Sequence, residues 1–142
     1  MDLSSPNSVA ALEESGQHVE NRISAEIIGS AIEVQRHLGT GLIESAYELA
    51  FCHELGLRGL RHARQLPLAA RYKDIAIPDA YRIDVVVEDL VVVEIKAIDR
   101  LLPVHEAQLL TYLRFSGLRL GLLLNFHASP MRSGVRRVVN RL

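Results

Sequence analysis

Three charged residues stand inside two runs of β-branched residues in the middle of the chain. They are Asp84 in the first run, and Glu94 and Lys96 at the end of the second. Burying a charge is costly unless the charge is paired or bound to a cation. Two carboxylates and a backbone carbonyl, such as that of Ile95, make a hard oxygen site suited to Mg²⁺ or Mn²⁺. Because a neighbouring lysine can orient a water or offset charge on a phosphoryl group, the set predicts metal-assisted phosphodiester hydrolysis.

Two predicted helices carry further polar side chains at helical spacing. His105, Gln108 and Tyr112 share one helix face, and Glu44 and Tyr47 are close neighbours on another helix. Both sets also fit an ordinary polar helix surface, just as the carboxylate and lysine pattern fits a cross-strand salt bridge on a solvated face. No second His, Cys or carboxylate stands at zinc-ligand spacing around His105. For His105 alone, this favours a surface or N-terminal-turn position.

The elements that position these residues follow from the hydrophobic pattern. The β-branched runs at 83–87 and 91–95 predict a hairpin, whose register can bring the two carboxylates together. The other predicted elements are helices at 23–38, 42–55 and 103–116, strands at 65–72, 118–125 and 135–140, and a turn region at 73–79. The strands before and after the third helix can pair in parallel through a right-handed crossover. The predicted fold is α/β, a mixed central β-sheet flanked by α-helices.

The first two helices have predicted core faces. The first helix has Asn21 as its N-cap, and its buried face comprises Ile23, Ile27, Ala31, Val34 and Leu38. In the second helix the predicted core stripe comprises Leu42, Ala46, Leu49 and Ala50. Residues 1–20 have no sustained hydrophobic period, so they predict a flexible N-terminal arm before a domain at 21–142.

Composition is that of one ordinary globular domain. The chain has 142 residues, of which 49% are hydrophobic, and its net charge of −1 provides no global field for a polyanion. The single cysteine, Cys52, excludes an internal disulfide framework and is typical of a reducing compartment. No apolar run approaches the roughly 20 residues that span a bilayer, and residues 1–17 lack the pattern of a secretory signal. We therefore expect a cytoplasmic protein with no membrane partner.

Several motifs resemble those of a known nuclease superfamily. Asp84, the run from Glu94 to Lys96, and Gln108 with Tyr112 are similar to the motifs of the PD-(D/E)XK nucleases. Residues 41–47, with the sequence GLIESAY, resemble the pattern that gives the GxxExxY proteins, a small bacterial branch of that superfamily, their name. The segments 81–84, 103–114 and 125–126 are similar to the same branch, so the resemblance covers roughly residues 22–140.

The resemblance implies a restriction-endonuclease-like core and a role for each motif residue. Asp84 and Glu94 would hold the metal, and Lys96 would serve the attacking water or the transition state. Glu44 would approach the same site from its helix. Gln108 and Tyr112 would position a phosphate or support the metal ligands. The implied cofactor is Mg²⁺ or Mn²⁺.

The partner of such a site is nucleic acid, either DNA or RNA, bound without sequence specificity. Arg64, Arg82 and His105 are the predicted substrate contacts, although solvated arginines fit the same sequence and the low net charge favours that alternative. No added recognition module is evident, so a homo-oligomer, or a partner that supplies specificity, is expected to provide binding surface. Two other functions stay open. One is a non-catalytic homo-oligomeric assembly or nucleic-acid-binding protein that retains the fold, and the other is a regulatory partner in a defence or repair complex.

Overall fold

The structure, a computed structural model, describes the backbone of residues 6–141 and the side chains of residues 16–141. Its helices are α1 (Pro6–Leu38), α2 (Glu44–Leu57) and α3 (Pro103–Ser116), with a short 3-10 helix at Met131–Gly134. Its strands are β1 (His62–Tyr72), β2 (Ile75–Val87), β3 (Val91–Lys96), β4 (Leu120–Asn125) and β5 (Val135–Val139). No helix in the described part of the chain is both long and apolar enough to cross a membrane.

The five strands form one mixed sheet in the order β1-β2-β3-β4-β5. The β3–β4 pair is parallel and the other pairs are antiparallel. The predicted hairpin, the parallel pairing across α3 and the edge strand near the C-terminus are therefore confirmed, as is the predicted fold class. Since parallel neighbours must be joined by a crossover, α3 is carried across one face of the sheet.

Apolar residues cover both faces of the sheet. On one face, α1 and α2 pack on inward residues of the central strands, with Tyr47, Phe51 and Phe126 among the largest buried side chains. On the other face, Leu109 and Leu113 of α3 pack on β2, β3 and β4. The leucine-rich segment from Leu118 to Leu124, which from sequence fits either the core or an oligomer interface, contributes four buried leucines to the packing on the two faces, namely Leu120, Leu122, Leu123 and Leu124.

The first helix is longer than its sequence pattern predicts. Residues 6–20, predicted to belong to a flexible arm, are the first part of α1, whereas residues 1–5 lie outside the described residues. Asn21 is consequently inside the helix, and its prediction as an N-cap is wrong. The predicted core face is confirmed from Ile23 to Val34, but Leu38 is exposed at the end of the helix. The division into an arm and a domain stays a prediction.

The predicted core stripe of the second helix is wrong at its two leucines, although Ala50 does pack against the core. Leu42 precedes α2 and is 38% exposed, and Leu49 is 58% exposed. The helix begins at Glu44, and its buried face is centred on Tyr47, Phe51 and Leu55, with Cys52 beside them. The aromatic residues at spacings of four decide which side faces the sheet, because they bury more apolar surface than the leucines do.

The turn between β1 and β2 is shorter than predicted. Only Lys73 and Asp74 form the turn, and β2 already begins at Ile75. Pro78 therefore lies within a strand, although proline cannot donate a ladder hydrogen bond. The pairing of β1 with β2 shifts register between Leu68 and Ala70, opposite this segment. A proline is tolerated at such an irregularity, which is why it misled the turn prediction.

Candidate active site

The candidate site lies where the β2–β3 pairing stops. The ladder runs from Val87 opposite Val91 to Val85 opposite Val93. Beyond it the backbone N–H of Asp84 donates to Glu94 Oε1 (3.1 Å), and the backbone N–H of Ile95 donates to Asp84 Oδ2 (2.9 Å). Side-chain carboxyl oxygens thus replace ladder carbonyls as hydrogen-bond acceptors. The hairpin brings Asp84 and Glu94 together, as a hairpin register was expected to allow.

Glu94 is buried without a cationic partner. Only 5% of its surface is exposed, and it forms no salt bridge with any described side chain. Desolvation by burial and then the nearby charge of Asp84 raise the pKa of Glu94 from 4.5 to about 9, although a backbone hydrogen bond and Lys96 oppose the shift. A solvated cross-strand salt bridge is therefore not what this pair forms. The arrangement disfavours two negative charges unless a cation joins them.

Lys96 ends β3 and points to the same strand face as Glu94, since residues two apart in a strand share a face. It stands opposite Asn125 of β4. The Asn125 side chain is buried, donates to Ile98 O (2.9 Å) and accepts from Ile98 N–H (3.1 Å). These bonds fix the chain directly after Lys96. Asn125, which belongs to one of the predicted motif segments, thus positions the chain that follows Lys96. Its residue type alone did not indicate this role.

Glu44 reaches the same region from the first turn of α2. The pKa of its carboxyl is raised mainly by desolvation, with an opposing effect of Lys96 and further rises due to Asp84 and Glu48. The helix thus places Glu44 within electrostatic reach of Asp84 and Lys96. Within residues that the structure describes, however, no three His, Cys, Asp or Glu side chains are grouped closely enough to hold a metal. Glu44 is thus a neighbour of the carboxylate pair.

Tyr47 explains how the start of α2 is held in place. Its hydroxyl donates to Gly39 O (2.6 Å) and accepts from Leu42 N–H (3.1 Å), so it ties together the loop between α1 and α2. Its ring stacks on Phe126 with centroids 4.8 Å apart. The loop that Tyr47 fixes leads directly into Glu44. The glutamate and tyrosine of this motif therefore have different tasks, one at the site and one behind it.

Of the three predicted residues on the third helix, Tyr112 has a hydroxyl that is affected by the charges of the carboxylate pair. Burial, then Glu94 and Asp84, raise the pKa of the Tyr112 hydroxyl, and its ring lies 4.8 Å from that of Tyr81. Gln108 is exposed one turn earlier on the helix. His105 Nδ1 accepts a hydrogen bond from Leu102 N–H (2.9 Å) at the start of α3. This is the N-terminal-turn position that was predicted for His105 when it was considered by itself.

Arg64 is held by a residue that the motifs did not indicate. Its Nη2 contacts Glu48 Oε2 at 2.6 Å, and Gln65 Nε2 donates to Glu48 Oε1 at 2.7 Å. Glu48 is buried and lies one helical turn after Glu44. That spacing was the available signal, because it places both glutamates on one face of α2. Arg82, in contrast, is exposed on β2.

The residues present fit a hard divalent cation. One oxygen of each carboxyl in the Asp84–Glu94 pair accepts a backbone N–H. The remaining oxygens are ligands of the type that Mg²⁺ and Mn²⁺ prefer. A cation would also offset the charge that burial disfavours in Glu94. The donor set and the electrostatics therefore agree.

Comparison with known proteins gives one family. A family model of the PD-(D/E)XK nuclease superfamily matches residues 21–138, well over half of the chain. No curated protein and no solved structure matched the chain significantly. The match contains every motif residue at the site, from Glu44 to Tyr112. The resemblance to the superfamily is confirmed, and the narrower resemblance to the GxxExxY branch stays a prediction.

Proposed function

Because the chain belongs to the PD-(D/E)XK nuclease superfamily, we propose that it is a nuclease or related phosphodiesterase that uses Mg²⁺ or Mn²⁺. One observation carries the proposal: buried Glu94 lies beside half-buried Asp84, and neither carboxyl has a salt-bridge partner among the described side chains. A protein that needed only stability at this point is better served by apolar residues or a complete ion pair. A site that takes up a metal requires this incompleteness.

Each residue near the pair has a proposed task. Asp84, Glu94 and the carbonyl of Ile95 would hold the metal, which when bound polarises the phosphoryl group and lowers the pKa of a water. The ammonium of Lys96 offsets charge that develops on the phosphoryl oxygens, or holds the attacking water. Glu44 approaches the metal site from α2. The hydroxyl of Tyr112, on α3, supports the carboxylates of Asp84 and Glu94.

Substrate contacts are proposed for residues on both sides of this centre. Gln108 and His105 are on the α3 side, where exposed Gln108 can donate to a phosphate. Arg82 is exposed on β2 and can neutralise a backbone phosphate. Arg64 is already paired with Glu48, so a phosphate that it contacts would share its positive charge with that carboxyl. These contacts address phosphates and not bases, so DNA or RNA would be bound without sequence specificity.

The proposal extends to assembly, branch and location. Apolar side chains project from the outer part of the β1–β2 hairpin, where Tyr72, Ile75 and Ile77 are exposed, and this supports a homo-oligomer. The GLIESAY segment at 41–47 supports the GxxExxY branch. The lone cysteine supports a cytoplasmic location. Sedimentation velocity at micromolar protein tests the first of these directly.

Metal binding is the first experiment. We expect Mg²⁺ or Mn²⁺ to bind the wild type in titration calorimetry, and Asp84→Asn to lose at least about ten-fold in affinity because a neutral amide replaces a ligand. Asp74→Asn, in the exposed β1–β2 turn, is the matched control and should bind like the wild type. Absence of binding to the wild type at millimolar metal would contradict the proposal. A positive result would be followed by cleavage assays with single- and double-stranded DNA and RNA.

A further inference from the structure

At one position along β1 and β2, the alternation of side chains between the α2 side and the α3 side of the sheet is interrupted. Residues two apart in a regular strand share a face, yet Ile83 packs beneath α3 while Val85 packs in the core beneath α1 and α2. β1 changes in the same way, because Arg64 reaches α2 whereas Leu66 packs on the α3 side. Both strands switch between these neighbours. The switch falls on Gln65 and Asp84.

Gln65 and Asp84 are opposite each other in the register but do not form a paired position. Arg64 pairs with Val85 and Leu66 with Ile83, which leaves the two residues between them outside the ladder. Gln65 has a φ of +52°, a left-handed conformation that is strained for any residue with a side chain. A left-handed residue turns the strand, which is how β1 reverses its facing. Something must hold Gln65 there.

Glu48 is that support. One of its carboxyl oxygens accepts from the Gln65 side chain and the other is bound by Arg64, the residue just before it. The carboxyl is buried, so these donors replace water. Each oxygen of the Glu48 carboxyl therefore accepts a hydrogen bond from a side chain of β1. Its contacts converge on the one segment of β1 that faces Asp84.

We propose that Glu48 is a positioning residue of the active site, acting through Gln65 to hold the face change that turns Asp84 toward Ile95 and Glu94. The idea rests on the proposed function only in its consequence for metal binding. The positioning itself is a property of the metal-free protein. It assigns the second glutamate of α2 a task different from that of Glu44, although the two share a helix face.

The direct readout is hydrogen exchange of two amides, measured by NMR without metal. The N–H groups of Asp84 and Ile95 bond to the site carboxyls, so they report whether Asp84 is turned correctly. In Glu48→Gln we expect both to exchange faster, by about ten-fold or more beyond any acceleration of the amides within the Val85–Val87 ladder, which report the general loss of stability. Glu88→Gln is the matched control, since it removes a carboxyl that pairs with Arg61 at the other end of β2.

Two substitutions at Gln65 separate positioning from simple stability. Gln65→Ala loses the hydrogen bond and keeps the strain, so the two amides should exchange faster, as in Glu48→Gln. Gln65→Gly loses the same hydrogen bond but adopts a positive φ freely, so exchange should return toward the wild-type rate. In the Gln65→Gly background, adding Glu48→Gln should have less effect than in the wild type. A merely stabilising Glu48 would instead leave exchange in Gln65→Gly as fast as in Gln65→Ala, and Glu48→Gln would accelerate the Val85–Val87 ladder amides as much as those of Asp84 and Ile95.

Mn²⁺ titration of the same variants gives the functional consequence. We expect Glu48→Gln and Gln65→Ala to weaken Mn²⁺ binding about ten-fold, and Gln65→Gly to bind close to the wild type. Unchanged exchange at Asp84 and Ile95 in folded Glu48→Gln would overturn the inference while the wild type still binds metal. Conversely, if the wild type binds no metal but the amides respond as expected, the proposed function fails and the positioning role stands.

Discussion

Glu48 and Glu94 are equally buried, each with 5% of its surface exposed, but the groups around them differ. The carboxyl of Glu48 receives one charged and one neutral side-chain donor, from Arg64 and Gln65. The carboxyl of Glu94 receives a single backbone N–H and lies beside Asp84, whose charge adds to the burial that raises its pKa to about 9. Both carboxyl oxygens of Glu48 therefore accept hydrogen bonds from described side chains, whereas Glu94 has a donor for only one of its oxygens.

The difference teaches how to separate a supporting carboxylate from a functional one. A buried carboxylate with both oxygens satisfied stabilises one local geometry, and it gains nothing from a metal. A buried carboxylate next to another is destabilising until a proton or a cation arrives. In this molecule the two kinds are linked, because Glu48 holds Gln65 opposite Asp84. The satisfied carboxylate supports the geometry of the unsatisfied pair.

Removing Lys96 should give the largest effect. Lys96→Ala takes away the positive charge beside the carboxylate pair, and we expect metal-dependent cleavage to fall by about 10²–10³-fold with little loss of metal affinity. Lys73→Ala, at the exposed β1–β2 turn, serves as the control with the same chemical change. Initial rates on plasmid DNA and on single-stranded RNA at saturating Mg²⁺ measure the effect. Equal rates for Lys96→Ala and the control would show that Lys96 has no part in catalysis.

Neutralising the two buried glutamates should change stability in opposite directions. Glu94→Gln removes a carboxyl that is costly to ionise, so in EDTA at pH 8 the free energy of unfolding should rise by roughly 2–4 kcal/mol. Glu48→Gln weakens the charged contact with Arg64 and should lower it by about 1–3 kcal/mol. Urea denaturation monitored by circular dichroism compares them. A loss of stability in both variants would mean that Glu94 is a supporting group like Glu48.

The pH dependence of stability tests the same contrast within the wild type. Since the pKa of Glu94 is raised from 4.5 to about 9, the folded state holds a proton between these values that the unfolded state has released. Stability from this group is therefore greatest below the lower value and is lost as pH rises toward the upper one, by up to about 1.4 kcal/mol per pH unit.

The measurement is the unfolding free energy of wild type minus that of Glu94→Gln, in EDTA at several pH values. We expect this difference to decrease from pH 5.5 to pH 8.5. At saturating Mg²⁺ the trend should weaken or reverse, because metal binds the ionised carboxylate and competes with protons. A difference independent of pH in EDTA would contradict the raised pKa of Glu94.

Sequence patterns were sufficient for the parts of the site that local rules determine. Asp84 and Glu94 belong to one hairpin, so the register of two short strands was enough to bring them together. The parallel pairing of β3 with β4 likewise followed from the helix between them. The resemblance to the superfamily motifs indicated the same residues independently of the strand pattern. Where spacing and register decide, prediction succeeded.

The failures have physical reasons. Glu48 was missed because a glutamate on a helix is ordinarily solvated, and its burial depends on Arg64 and Gln65, which come from another element. The core stripe of α2 was wrong at Leu42 and Leu49 because tertiary packing favoured Tyr47 and Phe51 over the leucines. The positive φ of Gln65 has no signal in its residue type, since left-handed positions are usually glycine or asparagine.

Tyr47→Phe should give the smallest effect. It tests whether the two hydrogen bonds of the Tyr47 hydroxyl help to position Glu44. The ring keeps its stacking on Phe126, but the hydroxyl bonds to Gly39 O and Leu42 N–H are lost. We expect the unfolding free energy to fall by about 1 kcal/mol. Because the freed loop leads into Glu44, cleavage should fall several-fold beyond that of Tyr72→Phe, an exposed control. Reduced stability with unchanged cleavage would contradict a role for the Tyr47 hydroxyl in positioning Glu44.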